Sequence, residues 1–290
     1  MMMRRIIYMF CATLLLFCSS VFAKTSVFEI SKGEHKLFVA GTVHMLPSSA
    51  FPLPAAFNTA YEQSSIMVFE ADIRQLETAA GLQLLMQHAR YQDGNSLTNV
   101  LSAKSYQILL EQATEFGLNL QALDSFKPDF VLINLMQLAL KQAELNGQGV
   151  DKFYLDKALQ DQRELAFLET IEQQLSLLFN VSAGDEDVFV EQSLSELQHI
   201  EVQLHNIIKA WREGDLTALA DFAMEYADTP AGQQFYQRML AQRNQDWLPQ
   251  IQAMLTTADV EMVLVGALHL AGEANLLQLL QQQGYQVKQL

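Results

Sequence analysis

The chain has 290 residues, half of them hydrophobic, and a formal net charge of −15. This length and hydrophobic content are sufficient for one α/β domain, or two smaller ones, with a substantial core. The acidic excess is not offset by any basic patch, so it disfavours binding to nucleic acid or to anionic membranes.

The N-terminus has the pattern of a secretory signal peptide. Two arginines precede an apolar run from residue 6 to 18, and the small residues within 21–23 suit cleavage after Ala23. We therefore expect residues 1–23 to be removed and the rest of the chain to be exported to the periplasm or secreted. No stable membrane span is expected after cleavage, and an uncleaved N-terminal anchor is the alternative.

Both cysteines, Cys11 and Cys18, lie within that segment, so the mature part would contain none. This excludes disulfides, a thiolate nucleophile and cysteine-based metal sites. Residues 24–290 would carry 16 basic and 33 acidic residues.

The mature part opens with a predicted hairpin, strands at 26–30 and 36–40 around a turn. A proline-containing loop follows, then a helix near 55–63 and an apolar strand that ends at Glu70. We expect this β-α-β unit to place Glu70 beside His44 at one edge of the sheet.

The middle of the chain, from about 75 to 257, is predicted to be mostly helical. It includes one short strand at 164–169 and a long amphipathic helix at 188–212. Pro249 is expected to mark a kink or a boundary in a helical region that follows Pro230.

The chain closes with a predicted strand at 260–268, a helix at 273–283 and a strand at 285–288. Strands therefore cluster at both chain ends. The sequence predicts a mixed α/β (α+β) fold, in which a central sheet from both ends carries a large helical insert. We expect residues 24–290 to form a single domain.

One pattern occurs at both ends of that predicted sheet. Residues 36–44 and 261–269 are each an apolar run of strand length that meets a glycine, and a histidine follows three residues later. Ligands of open α/β sheets collect outside the carboxyl ends of the strands. If the two runs are parallel neighbours, His44 and His269 meet at that edge.

Two imidazoles and a carboxylate suit a divalent transition metal, and a partly open site could activate water. Glu70 is then either a third ligand or the base that accepts a proton, and the sequence leaves both roles open. Asp72, two residues on, is better explained as a helix cap or a turn residue.

Three further residues have alternative roles. Asp151 and Glu169 both suit helix capping. Arg243 could clamp a substrate carboxylate or carbonyl oxygen, and a surface salt bridge is the alternative. The sequence contains no G-x-S-x-G, H-E-x-x-H, Walker or dinucleotide-binding motif, so serine-hydrolase and nucleotide-binding readings lack support.

A series of short motifs in a fixed order covers nearly the whole mature chain. They are Gly41-Thr42-Val43-His44, Pro52-Leu53-Pro54, Glu70, Lys127-Pro128, Gly149-Val150-Asp151, Leu168-Glu169-Thr170, Ala210-Trp211-Arg212, Arg243-Asn244 with Trp247, and Gly266-Ala267-Leu268-His269. In this order they resemble the TraB/GumN family, which includes the Tiki metalloproteases.

The resemblance implies an α/β fold and protease activity dependent on a divalent metal such as manganese or cobalt; zinc also suits these donors. It implies that His44 and His269 are metal ligands and that Glu70 is catalytic or ligating. Arg243 and Asn244 would be supporting residues of the catalytic site.

The function we expect is that of an exported metal-dependent hydrolase acting on a peptide or small-molecule substrate. One alternative is a non-catalytic protein that binds a peptide, a metal or a haem-like ligand in the same cleft. Another is hydrolysis of a non-peptide ester or lactone. No pattern in the sequence determines the oligomeric state.

Overall fold

The computed structural model describes residues 24–225 and 230–290. The predicted signal peptide, residues 1–23, lies outside the described residues. Within the described part, no helix combines the length and the apolar character that a membrane crossing requires.

A mixed six-stranded sheet forms the centre of the fold. Its strands are β1 (Val27–Lys32), β2 (His35–Thr42), β3 (Ile66–Phe69), β4 (Glu164–Phe167), β5 (Glu261–Gly266) and β6 (Gln286–Gln289). Their order across the sheet is β4-β3-β5-β2-β1-β6. The four strands β4, β3, β5 and β2 are parallel, and β1 pairs antiparallel with both β2 and β6. The predicted α/β class, the opening hairpin and the parallel pairing of the two histidine-bearing runs are all confirmed.

The helices cover this sheet. Most of them lie in the chain between β3 and β4 and between β4 and β5. They are α1 (Ala55–Gln63), α2 (Ala79–Ala89), α3 (Leu97–Val100), α4 (Ala103–Glu115), α5 (Pro128–Gln142), α6 (Val150–Gln160), α7 (Ile171–Leu178), α8 (Glu186–Leu197), α9 (Ile200–Glu213), α10 (Leu216–Glu225), α11 (Pro230–Tyr236), α12 (Gln242–Met254) and α13 (Leu276–Gln282). A π-helical segment, Gln237–Ala241, joins α11 to α12. Short 3-10 helices cover Ser48–Ala50, Ile73–Glu77, Leu120–Leu123 and Ala267–Leu270.

The central strands are mostly apolar, as is typical when both faces of a sheet are covered. On one face, Phe38 and Leu264 pack with Phe57 and Trp211 in one hydrophobic cluster. Residues of alternate parity on the same strands pack on the other face in a second cluster that includes Trp247 of α12. The helices thus hold the carboxyl edge of the parallel strands in a fixed place.

The strands that precede His44 and Glu70 are not neighbours in the sheet. Strand β5 lies between β2 and β3, pairing with both in parallel. The β2-α1-β3 crossover therefore spans one strand position, and the chain returns after about 190 residues to fill it with β5. Glu70 remains at the same edge as His44, but its nearest strand end is that of β5.

Two predicted helix features also differ from the structure. The amphipathic helix expected at 188–212 is divided at Gln198 and His199 into α8 and α9. Val190 and Leu194 of α8 pack in a cluster with α4 and α5, whereas Trp211 of α9 packs against the sheet. One apolar stripe in the sequence thus serves two cores. Pro249 lies inside α12 and does not end it, so of its two predicted roles the boundary is wrong.

Candidate functional site

The two histidine motifs converge on Gly266, the last residue of β5. Thr42 at the end of β2 is in register with Gly266, so both strands end at the same level of the sheet. A Cβ built on Gly266 would lie 3.5 Å from Glu70 Oε1, 3.6 Å from His269 Cδ2 and 4.0 Å from His44 Nε2. The structure therefore brings His44, His269 and Glu70 to one place.

Glu70 follows the last residue of β3, and its carboxylate is tightly held. Oε1 accepts a hydrogen bond from the backbone N–H of Gly266 at 2.6 Å, and lies 3.8 Å from Nε2 of His269. Oε2 accepts from Arg243 Nη2 at 2.6 Å and from Gln174 Nε2 at 3.3 Å. These donors all favour the ionised carboxylate.

Arg243 is a buried cation that bridges two glutamates, and the predicted alternative of a surface salt bridge is wrong. Its Nη2 donates to Glu70 and also to Glu169 Oε1 at 2.7 Å, while Nε donates to Glu169 Oε2 at 3.1 Å. The guanidinium carbon lies 4.5 Å from the centre of the Trp247 ring. Arg243 and Trp247 share one face of α12, as their spacing predicts. The π-helical segment just before α12 supplies the Met239 carbonyl, which accepts from Nη1 at 3.1 Å.

His269 is buried and its tautomer follows from its partners. Asn244 uses its Nδ2 to donate to the carbonyl oxygen of Ala274 at 3.1 Å, so its Oδ1 is left as the acceptor for His269 Nδ1 at 2.7 Å. His269 therefore carries its proton on Nδ1, and its Nε2 lone pair accepts from Arg243 Nη1 at 3.1 Å. The ring packs against Trp247, with centroids 4.5 Å apart.

His44 differs from His269 in being exposed: 63 % of its side-chain surface remains accessible. Its Nδ1 lies 3.1 Å from Oδ1 of Asp151, in the first turn of α6. Asp151 therefore orients the ring so that Nε2 is left free. Asp151 is not the N-cap expected from the sequence, because Gly149 occupies that position.

The pKa values of these groups differ because the groups differ in burial and in the charged side chains beside them. Burial raises the pKa of Glu70, but Arg243 and then the two histidines outweigh it, and the pKa falls to about 2. Burial lowers the pKa of His269 to about 3, so this ring is neutral at pH 7. Desolvation also lowers the pKa of His44, but the charge and hydrogen bond of Asp151 outweigh it and leave that pKa raised. Burial raises the pKa of Glu169, and Arg243 offsets part of the increase.

Three residues of this site were given other roles, or none, by the sequence. Glu169 was expected to cap a helix, but Thr170 is the cap of α7 and Glu169 pairs with Arg243. Asp151 holds His44, and Gln174 of α7 reaches Glu70. The signal that could have identified Glu169 is its position two residues after β4, similar to that of Glu70 directly after β3. Asp72 does cap the 3-10 helix Ile73–Glu77 and binds Arg74, as expected.

The side chains at this site suit the expected divalent metal in kind but are not arranged around an ion. No group of three or more His, Cys, Asp or Glu side chains within the described residues is arranged as a metal site. The donors nevertheless suit a divalent ion in kind, because both rings bind an oxygen through Nδ1 and leave Nε2 as the coordinating atom. Arg243 donates hydrogen bonds to His269 Nε2 and Glu70 Oε2 in the structure. These atoms could bind an ion if Arg243 released His269.

The charge of the site also suits a cation. Two carboxylates, those of Glu70 and Glu169, bind the guanidinium of Arg243, and a third, that of Asp151, binds His44. With His269 neutral and His44 protonated, the cluster carries an excess of one negative charge, and of two once His44 loses that proton. Buried charges are costly unless they are compensated, and a divalent cation would balance this excess.

The chain is similar to proteins that have no described function. It is 25 % identical over 258 residues to a protein of Escherichia coli (strain K12) described as uncharacterized protein YbaP, covering 86 % of this chain and 89 % of that protein. The YbaP protein of Shigella flexneri matches with the same identity and coverage. No solved structure matches the chain. The model of the TraB/PrgY/gumN family matches residues 26–289, and the chain therefore belongs to this family.

Proposed function

We propose that this protein is an exported metal-dependent hydrolase that acts on a peptide bond. His44, His269 and Glu70 would hold one divalent cation such as manganese, cobalt or zinc. The observation that carries the proposal is the convergence on Gly266 of two oriented imidazoles and one carboxylate, within a cluster of negative charge.

A bound ion of this kind would lower the pKa of a water molecule and polarise a carbonyl group. Glu70 would ligate the ion or accept a proton from that water. Both roles require an ionised carboxylate, and its low pKa keeps Glu70 ionised. Arg243, once released from His269, would donate a hydrogen bond from Nη1 to the oxygen that gains charge. Asn244 keeps the proton of His269 on Nδ1.

The unequal exposure of the two histidines gives the site a direction. His269 is 2 % exposed and lies against Trp247, whereas His44 is accessible to solvent. A substrate would therefore approach from the side of His44. The acidic character of the chain favours neutral or basic substrates over polyanions.

Titration calorimetry of residues 24–290 with Mn²⁺, Co²⁺ and Zn²⁺ tests the metal site. We expect one ion per chain, with binding lost in a His44→Ala, His269→Ala double variant and weakened in Glu70→Gln. Glu172→Gln is the matched control, since Glu172 is an exposed carboxylate of α7. Equal metal affinity in the double variant and the wild type would remove the mechanism.

Incubation of the metal-loaded protein with a mixed peptide library, analysed by mass spectrometry, tests the substrate class. New termini that are absent in the Glu70→Gln reaction would support peptide hydrolysis. Cleavage of ester or lactone probes with no peptide cleavage would assign the same residues to a different hydrolase.

A second candidate is a non-catalytic ligand-binding protein, and one observation favours it. In the structure Arg243 already donates to His269 Nε2 and to Glu70 Oε2, so the network is satisfied without an ion. Peptide binding without metal uptake or cleavage would select this candidate.

A further inference from the structure

We infer that Asp151 is a positioning residue for His44, holding the imidazole in the tautomer and orientation that present Nε2 to Glu70 and His269. This rests on the proposed function and extends it to a residue on a separate helix. The carboxylate oxygen Oδ1 of Asp151 lies 3.1 Å from Nδ1 of His44.

The His44 ring needs such a restraint because little else holds it. Its side chain is 63 % exposed, whereas that of His269 is only 3 % exposed. Within residues 24–225 and 230–290, Asp151 is the side chain that hydrogen-bonds the ring. An exposed imidazole without this contact would sample several rotamers and both neutral tautomers.

The backbone fixes Asp151 relative to His44. The loop that precedes α6 lies directly against the segment that follows β2: Val150 N–H donates to the Val43 carbonyl at 3.0 Å, and Leu46 N–H donates to the Gly147 carbonyl. A Cβ at Gly149 would collide with the carbonyl group of His44. The contact is therefore so close that only glycine fits there, and the first turn of α6 cannot shift away from His44 without breaking these bonds.

The chemistry of the pair determines the tautomer. A carboxylate only accepts hydrogen bonds, so a neutral His44 must carry its proton on Nδ1 to bind Asp151. Nε2 is then a lone pair directed away from Asp151. His269 is held in the same tautomer by Asn244 Oδ1. Two different acceptors therefore leave both Nε2 atoms unprotonated, each with a lone pair that can bind a metal. Partners of this kind set ring orientation and ligand basicity in metal sites.

Asp156 is a matched control on the same helix. It is an exposed carboxylate that bonds Lys152 and Gln148 and has no contact with the site. Asp151→Ala and Asp156→Ala each remove one negative charge and the same side-chain atoms from α6. A difference between them therefore reports the contact with His44 and not the net charge.

Calorimetric titration with Mn²⁺ alone is the first test. We expect Asp151→Ala, which removes the acceptor, to weaken binding roughly 10- to 100-fold, and Asp156→Ala to leave it unchanged. In a His44→Ala background, Asp151→Ala should cause no further loss, because the residue through which it acts is absent. Equal affinity of Asp151→Ala and wild type, or an undiminished effect in the His44→Ala background, would overturn the inference.

The second test needs no metal. Nitrogen-15 NMR of the ring, recorded at alkaline pH where His44 is neutral, should show the proton on Nδ1 in the wild type. In Asp151→Ala it should move toward Nε2, while the His269 signals stay unchanged. A His44 ring whose tautomer is the same in both proteins would refute the positioning role. The predicted tautomer in a wild type that binds no metal would leave Asp151 as the orienting residue and refute the proposed hydrolase.

Discussion

The carboxylate of Glu70, at the end of β3, accepts a hydrogen bond of 2.6 Å from the backbone N–H of Gly266, at the end of β5. This bond joins two neighbouring parallel strands just beyond the end of their backbone hydrogen-bond ladder. It leaves the second oxygen of Glu70 directed at Arg243. The position of the acid in the site is thus set by backbone pairing and not by a flexible loop.

Substitution of Arg243 should destabilise the fold strongly. Arg243→Ala leaves the buried carboxylates of Glu70 and Glu169 without their cation, and we expect a loss of about 3–5 kcal/mol in the free energy of unfolding. Arg243→Lys should lose less stability, because a positive charge remains. It should still lose some, because lysine cannot donate to Glu169 through two nitrogens. Urea denaturation monitored by circular dichroism measures both. Arg238→Ala, an exposed arginine near the same helix, should change stability little; a similarly small effect of Arg243→Ala would show that the ion pairs are not structurally important.

Two glycine substitutions should separate folding from ligand binding. Alanine at Gly266 would place its Cβ 3.5 Å from Glu70 Oε1, an ordinary contact, so stability should fall by about 1 kcal/mol or less. The same methyl group narrows the space between His44 and His269, so metal affinity should fall. Alanine at Gly149 meets the backbone of His44 and should cost about 1–3 kcal/mol or more. Thermal unfolding and Mn²⁺ titration of both variants check this; the reverse ranking in stability would contradict it.

Metal binding should release a proton and strengthen as the pH rises. The raised pKa of His44 means that the ring carries a proton at neutral pH, and an ion that takes Nε2 must displace it. Because the side chain is 63 % exposed, water screens part of the attraction by Asp151. Affinity should therefore increase between pH 6 and pH 8 by up to about one logarithmic unit per pH unit. Titrations in buffers of different ionisation enthalpy measure the released protons, and a pH-independent affinity would be contrary to this prediction.

Glu261 should make stability depend on pH in a direction opposite to that of Glu70. It opens β5, is 4 % exposed, and its Oε2 has no hydrogen-bond partner among the described residues. Burial raises its pKa from 4.5 to about 6. The folded state therefore binds this proton more tightly than the unfolded state does, and the associated stability is present below pH 4.5 and lost as the pH rises through 6.

Glu261→Gln removes the free-energy cost of burying an ionised carboxylate at high pH. The variant should be more stable than the wild type at pH 8, by about 2 kcal/mol at most, and equal to it at pH 4. Glu164 is the matched control, because it opens β4 on the other side of β3, pairs with the same residue, Ile66, and is exposed. Urea denaturation at the two pH values measures the difference. A gain for Glu164→Gln equal to that for Glu261→Gln would indicate a general charge effect.

The periodicity of the sequence was sufficient to identify most elements and the edge at which the site lies. Predicted helix 55–63 agrees with α1, and the two strand-Gly-x-x-His runs pair in parallel as expected. These features are local: apolar runs of strand length, glycines at their ends and polar residues after them are visible without any tertiary information. His44, His269 and Glu70 could be selected on that basis, and their proposed roles stay predictions.

The order of the strands and the partners of the site residues were decided by the tertiary structure. Hydrophobic periodicity indicates that a strand is buried but not which strand lies beside it, so the position of β5 between β2 and β3 was not predictable. The same holds for Glu169 and Asp151. Each lies at an element end where capping is the commoner local explanation, and each instead binds a site residue more than 70 positions away, Arg243 and His44 respectively. Contacts at such separations depend on how helices dock on the sheet, which the local pattern of a single sequence does not contain.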